Sequence, residues 1–328
     1  MPEYSIIIPV YNRPAEVKEL LESLVVQSAK NFEIIVVEDG SSERCDDVVK
    51  NFSSHLDISY YYKPNSGPGD SRNYGISKCK SDFFIFFDSD CIIPPHYFQT
   101  VNSFFKIFLP ECYGGPDRAH PHFTPLQKAI SYTMTSLFTT GGIRGGKTKG
   151  FHPRSFNMGF SRKVFDATNG YSKMRFGEDV DLSLRIEEAG FNSYLIEDAY
   201  VFHKRRTDFK KFYKQIYNSG IARINLHKRH PGSLKLTHFF PAMFVSFSIL
   251  SFLATLLNPL FVMPLAGYTL LIFFDSSLKN RSIRIGFLSV QSLFVQMFAY
   301  GLGFMKSFWR RIILGKDEFS AFEKNFYK

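Results

Sequence analysis

From Phe239 to Phe274 the chain runs 36 residues without an Asp, Glu, Lys, Arg or His, and from Ile285 to Met305 it runs 21 more. Apolar stretches of about 18 residues or longer suffice to cross a bilayer, so this half cannot be an ordinary soluble domain. The first half reads differently, and a mean hydropathy of -0.11 conceals the contrast. The pattern divides the chain into a globular domain over 1–206, a basic amphipathic helix region over 207–236 and a membrane-associated tail over 237–328. The tail holds apolar segments at 239–257, 259–274 and 285–305.

Charge is localised in the same way. The net charge is +10, and the stretch Lys204–Lys235 holds ten Lys/Arg against the single acid Asp208. A basic stretch leading into an apolar one suits the anionic lipids of a membrane and not nucleic acid. Within it, Phe209, Phe212, Tyr213, Ile216, Tyr217, Ile221 and Ile224 recur along one helical face. Lys210, Lys211, Lys214 and Arg223 lie on the other, the pattern of a helix in a membrane interface. Cys45, Cys79, Cys91 and Cys112 form no CxxC pair, which points to a reducing compartment. Met1-Pro2-Glu3 opens no signal peptide, so the globular domain is expected to face the cytoplasm at the inner membrane.

Tyr4–Val10, Phe32–Val37, Ile58–Tyr62 and Phe83–Phe87 read as strands, with helical spacing after Pro14 and around Ser71–Lys78. Strands without polar alternation, separated by helices, predict an α/β domain whose mainly parallel sheet is covered on both faces. Ligands in such sheets sit beyond the carboxyl ends of the strands. Those ends carry Tyr11-Asn12-Arg13, Glu38-Asp39-Gly40 and Asp88-Ser89-Asp90. Two carboxylates at i and i+2 on such an edge suit a hard divalent cation and a polyphosphate.

Gly141–Thr148 matches the P-loop pattern GxxxxGK[ST] letter for letter. A P-loop must feed a helix that holds phosphate on its N-terminus. Here Lys149-Gly150-Phe151-His152-Pro153 follows, which starts no helix, so ATPase activity is rejected. Arg144, Lys147, Lys149 and Arg154 remain as cations for a phosphate, or simply as part of a loop at the site.

The ordered set Ile6-Ile7-Ile8-Pro9-Val10-Tyr11-Asn12-Arg13, Glu38-Asp39-Gly40, Gly69-Asp70-Ser71-Arg72-Asn73-Tyr74-Gly75-Ile76 and Asp88-Ser89-Asp90 resembles family 2 glycosyltransferases of the GT-A fold. Asn157-Met158-Gly159, Gly177-Glu178-Asp179 and His203 extend the likeness to about residue 205. The resemblance implies a nucleotide-diphospho-sugar donor, a divalent metal (Mn²⁺ or Mg²⁺) and inversion at the anomeric carbon. By the same resemblance Pro9, Tyr11, Arg13 and Asp39 hold base and ribose, and Arg72 lies near the diphosphate. Asp88 stands at the boundary of ribose and metal, while Asp90, with His203, ligates the metal. Asp179 is the expected general base, since inversion needs a carboxylate opposite the leaving group. Glu178 is its neighbour at the acceptor site.

These features predict an inverting glycosyltransferase acting on a lipid-linked saccharide acceptor in the synthesis of a cell-surface polysaccharide. Transfer to a polyprenyl phosphate is the variant within the class, and a nucleotidyltransferase or a non-catalytic membrane scaffold are the rivals outside it. In the tail, Phe239–Leu257 and Leu260–Phe274 are expected to form a membrane hairpin turning at Asn258-Pro259. Length makes Ile285–Met305 a third span, whereas the flanking Lys306, Arg310, Arg311 and Lys316 return the C-terminus to the cytoplasm. The charge bias decides for the return.

Overall fold

The computed structural model describes residues 3–140 and 151–319. The chain divides into two compact units. Among the described residues the first comprises 3–120 and 151–203, and the second 121–140 and 204–319.

The first unit opens with β1 (Tyr4–Val10), α1 (Pro14–Val25), β2 (Phe32–Asp39), α2 (Asp46–Phe52), β3 (Ile58–Lys63), α3 (Pro68–Ile76) and β4 (Phe83–Phe87). It continues with β5 (Cys91–Ile92), α4 (Tyr97–Phe108), β6 (Cys112–Gly114) and β7 (Asp117–Arg118). After α5 (Pro125–Thr135) and α6 (Leu137–Thr140), which belong to the second unit, come β8 (Asn157–Ser161), α7 (Arg162–Thr168), α8 (Glu178–Glu188), β9 (Ser193–Leu195) and β10 (Val201–His203). The main sheet has the order β3-β2-β1-β4-β8-β6-β9. β3, β2, β1 and β4 are parallel, β8 runs antiparallel to β4 and β6, and β9 is parallel to β6. Alternate residues supply two cores, as the unbroken apolar strands foretold. Ile6, Ile8, Ile34, Val36, Ile85 and Phe87 face one, and Ile7, Ile35, Val37, Phe84 and Phe86 the other. A small sheet, β5-β10-β7, places β10 antiparallel to β5, with His203 opposite Cys91.

The second unit is helical. Besides α5 and α6 it contains α9 (Phe209–Arg229), α10 (Phe240–Ala254), α11 (Met263–Asn280) and α12 (Ile283–Phe308). Its centre is α12. Ala299 and Val295 pack with Ile130 and Met134 of α5 and with Phe212 and Ile216 of α9. Leu293 and Met297 pack with Tyr132, Phe244 and Ile272. Glycines permit the closest approach, because a Cβ on Gly220 would meet the Tyr300 carbonyl at 2.3 Å and one on Gly303 the Tyr217 carbonyl at 2.2 Å.

Two expectations for the tail are revised here. The apolar face of α9 is covered by α12, so it is not left open to a membrane interface; the glycines seat the two helices against each other. The segment 239–257 forms a helix of only 15 residues, whereas its successor lengthens through Asp275 and Lys279 to Asn280. That extension is held by Lys279 Nζ, 2.9 Å from Asp275, and by the Tyr132 hydroxyl, which donates to the same carboxylate at 2.6 Å.

Candidate functional site

The polar ends of β1, β2 and β4, together with α3, the N-terminus of α8 and β10, build one network in the first unit. Asp90 follows β4. Arg13 donates to its Oδ2, and His203 Nε2 lies 3.2 Å from its Oδ1. Burial would raise the Asp90 carboxyl, but His203 and the Arg13 guanidinium outweigh it and hold the group well below the usual carboxylate range.

Arg72, buried on α3, makes the second link. Its Nη2 lies 2.6 Å from Asp88 Oδ1 and its Nη1 3.4 Å from Glu178 Oε1. Asn73, the next residue of the motif, donates to the Tyr171 carbonyl at 2.8 Å and accepts from the Tyr171 N–H at 2.9 Å. That pair pins the segment leading to α8 onto α3, and the Tyr171 ring lies 5.1 Å from the Arg72 guanidinium.

Gly177, at φ 84°, precedes α8 and begins it with Glu178 and Asp179. A left-handed residue is tolerated there because glycine has no Cβ. Arg154 Nη1 approaches both oxygens of Asp179, at 3.4 and 3.3 Å. The two carboxyls are driven apart. Burial first, and then the charge of Asp179, push Glu178 from 4.5 up to about 7, with Arg72 opposing. Burial acts on Asp179 in the same sense, but Arg154, the Val180 N–H and Arg72 prevail and lower it. A neutral acid and an ionised carboxylate side by side suit proton transfer.

The expected site residues are thus largely brought together. Arg13, Asp90 and His203 form one group, Arg72, Asp88 and Glu178 a second, and Glu178 is joined through the chain to Asp179. Pro9 is buried in β1, and Tyr11 is half-buried just beyond it. Asp39, expected to hold base and ribose, is engaged by its own chain in this structure. It accepts from Lys63 Nζ at 2.5 Å, the Ser66 and Gly67 N–H groups at 2.9 Å each, and Asn65 Nδ2 at 3.3 Å. A carboxylate has about four lone-pair sites, so this one is filled from within the chain. Arg144, Lys147 and Lys149 lie outside the described residues.

Lys63, Asn73, Tyr171 and Cys91 were not singled out by chemistry in the sequence. Lys63 closes β3 in register with Asp39, which a strand alignment could have revealed. Arg154, one of the cations that the sequence offers to a phosphate or to a loop at the site, pairs with Asp179.

The donor set fits a divalent cation. Asp90, His203 and Cys91 offer ligand atoms within 4.8 Å of one another. The buried Nδ1 of His203 has no hydrogen-bond partner among the described residues, and Asp90 Oδ1 faces the ring's other nitrogen at 3.2 Å. Carboxylate oxygen suits magnesium or manganese while imidazole and thiolate suit zinc-like ions, so the set accepts a divalent cation without selecting one. Asp88 is turned to Arg72 and stands apart from this cluster.

The profile of glycosyl transferase family 2 matches residues 5–168, half of the chain. An uncharacterised glycosyltransferase of Haemophilus influenzae is 45% identical over 91 residues, covering 27% of this chain and 30% of that protein. The pre-mycofactocin glycosyltransferase of Mycobacterium tuberculosis is 26% identical over 237 residues, 70% of this chain and 48% of the relative. Matches to several curated relatives span less than a third of those proteins' length. Among solved structures, the mannosyltransferase PcManGT of Pyrobaculum calidifontis, in complex with GDP-Man and Mn²⁺, superposes with a TM-score of 0.68 at 12% identity. The superposition covers 94% of this chain and 87% of that one. TarS 1–349 of S. aureus, in complex with UDP-GlcNAc, gives 0.50 at 16% identity over 96% and 93%. The structural likenesses establish the GT-A fold, and the sequence match establishes that the chain belongs to glycosyl transferase family 2.

Proposed function

We propose that the chain is an inverting glycosyltransferase that moves a sugar from a nucleotide-diphospho-sugar to a lipid-linked saccharide at the cytoplasmic face of a membrane. One observation carries the reading: Arg72 ties Asp88, at the end of β4, to Glu178, beside Asp179 at the start of α8. A diphosphate-binding edge and a candidate base are thereby held in one network. Family membership supports the nucleotide-sugar donor. The apolar runs Phe239–Phe274 and Ile285–Met305 support the membrane-bound acceptor.

In this reading Asp179, kept ionised by Arg154, takes the proton of the acceptor hydroxyl as that oxygen attacks the anomeric carbon. Glu178 stays beside it as the acceptor-site neighbour. Asp90 and His203 would hold a divalent ion, with Asp88 nearby, and the ion would supply positive charge to the departing nucleoside diphosphate. Arg72 and Arg13 add fixed positive charge near the same edge. Pro9 and Tyr11 line the nucleoside end. Asp39 acts at one remove, by shaping the turn that precedes α3.

The experiment is a panel of nucleotide sugars with Mn²⁺ or Mg²⁺, read by release of nucleoside diphosphate. Release with one donor, increased by lipid-linked saccharide, is the expected result. Transfer to polyprenyl phosphate alone would identify the in-class variant. Release of pyrophosphate would instead mark a nucleotidyltransferase, and no response to any donor would mark a scaffold.

A further inference from the structure

α12 has 26 residues, about 39 Å at 1.5 Å per residue, enough for a bilayer core of about 30 Å. Its neighbours bar that placement. From Leu293 to Ser307 it is sheathed by α5 and α9: Ile130, Met134, Phe212 and Ile216 close on Val295 and Ala299. Farther along, the Ser307 hydroxyl donates to the Ile221 carbonyl at 3.3 Å. α9 exposes Lys210, Lys211 and Lys214 beside Phe212 and Ile216, level with the middle of α12. A bilayer around α12 would draw those ammonium groups into hydrocarbon, which is strongly unfavourable. Residues 283–292 remain, about 15 Å of helix, half of the bilayer core.

The hairpin of α10 and α11 behaves differently. The start of α10 is packed on α12, with Pro241 and Val245 against Gly301 and Phe244 against Phe294 and Phe298. Past Val245, nine residues of α10 remain, about 14 Å and close to one leaflet. The tip beyond is apolar and open, with Leu256 85% and Leu257 87% exposed. Its turn satisfies backbone groups from within. Asn258 Oδ1 accepts from the Leu260 N–H at 2.9 Å, and the Ser251 hydroxyl donates to the Phe261 carbonyl. Lys279, Arg281 and Arg284 stand exposed at the other end of α11, placed for anionic headgroups.

We propose that the helical unit is a monotopic wedge for an anionic membrane: the α10–α11 tip enters one leaflet, α12 is the unit's core and crosses nothing, and the chain after Phe308 stays on the face from which the tip entered. This deepens the membrane association proposed above and rests on it.

The full chain, released from detergent onto preformed phosphatidylglycerol–phosphatidylcholine vesicles, tests both levels. Flotation with the vesicles is expected, weakened at least tenfold by L256D/L257D; those side chains are exposed, so the variant loses no core contact. A dye on L257C is expected to be quenched by nitroxides placed within the acyl chains and not by iodide sealed inside the vesicles. A tag after Lys328 is expected to remain open to external protease. Quenching by internal iodide, or a tag protected inside, overturns the wedge and leaves membrane association standing. Unweakened flotation of L256D/L257D also overturns the wedge. Failure to float with any vesicle removes both.

Discussion

Glu178→Gln should stabilise the protein at alkaline pH and leave it nearly unchanged at acid pH. Burial and the charge of Asp179 raise the Glu178 carboxyl from 4.5 to about 7, against the opposing pull of Arg72 at 3.4 Å and of a backbone hydrogen bond. Between those values the folded chain keeps a proton that the unfolded chain has released. Stability therefore falls as pH rises from about 4.5 to 7, and the loss persists above that window. At about 1.4 kcal/mol per pH unit the difference comes to roughly 3 kcal/mol. Glutamine has no proton to lose and still offers Arg72 an acceptor, so the variant escapes the penalty.

With about 2–4 °C of melting temperature per kcal/mol for a domain near 200 residues, the variant should melt about 6–12 °C higher at pH 8. The two proteins should converge by pH 4.5, apart from about 1 kcal/mol for an altered hydrogen bond. Scanning fluorimetry in steps across that range, without metal or donor, reads it directly. A difference independent of pH, or a variant less stable at pH 8, would refute the reasoning.

Asp90→Ala should abolish metal-dependent donor binding in calorimetry while the chain stays folded; unchanged affinity would make Asp88-Ser89-Asp90 an ordinary turn. Asp179→Asn should lower kcat by about 10²–10⁴ with donor affinity preserved, and near-normal turnover would remove Asp179 as base. Arg154→Gln takes away the main charge opposing burial at Asp179, so the acid limb of the rate profile should move to higher pH; a profile that drops without moving would leave Arg154 a structural role alone. Lys63→Met breaks a buried pair of 2.5 Å and should cost about 3 kcal/mol, the low end for such pairs because three N–H donors to Asp39 remain. An unchanged melting temperature would contradict the saturation of Asp39.

The strands of the first unit were legible because parallel strands covered on both sides need unbroken apolar runs, and Ile6–Ile8, Ile34–Val37 and Phe84–Phe87 supply them. The polar ends of those strands were legible for the same reason: the run stops where the chain reaches the ligand edge. Partnerships were not. Asp39 in a motif does not announce whether it faces a ligand or its own turn. Only the register that sets Lys63 opposite it, and the bend at Ser66-Gly67, decide that its oxygens are filled. Arg154 likewise carries no local mark that separates it from its cationic neighbours.

In the tail the difficulty is one of kind. Composition reports that Phe239–Phe274 and Ile285–Met305 avoid water, and lipid and protein satisfy that demand equally well. What distinguishes them is the placing of small residues. Gly286, Ser289, Ser292, Gly301, Gly303 and Ser307 are all buried on α12, and close approach at such residues is how helices pack on one another. Among the described residues no helix covers the tip around Leu256 and Leu257, which stays exposed, and the proposed wedge assigns it to hydrocarbon for that reason. The two apolar runs therefore part company: α12 finds its shelter in α5 and α9, and the proposed wedge gives the contact with the membrane to the α10–α11 hairpin.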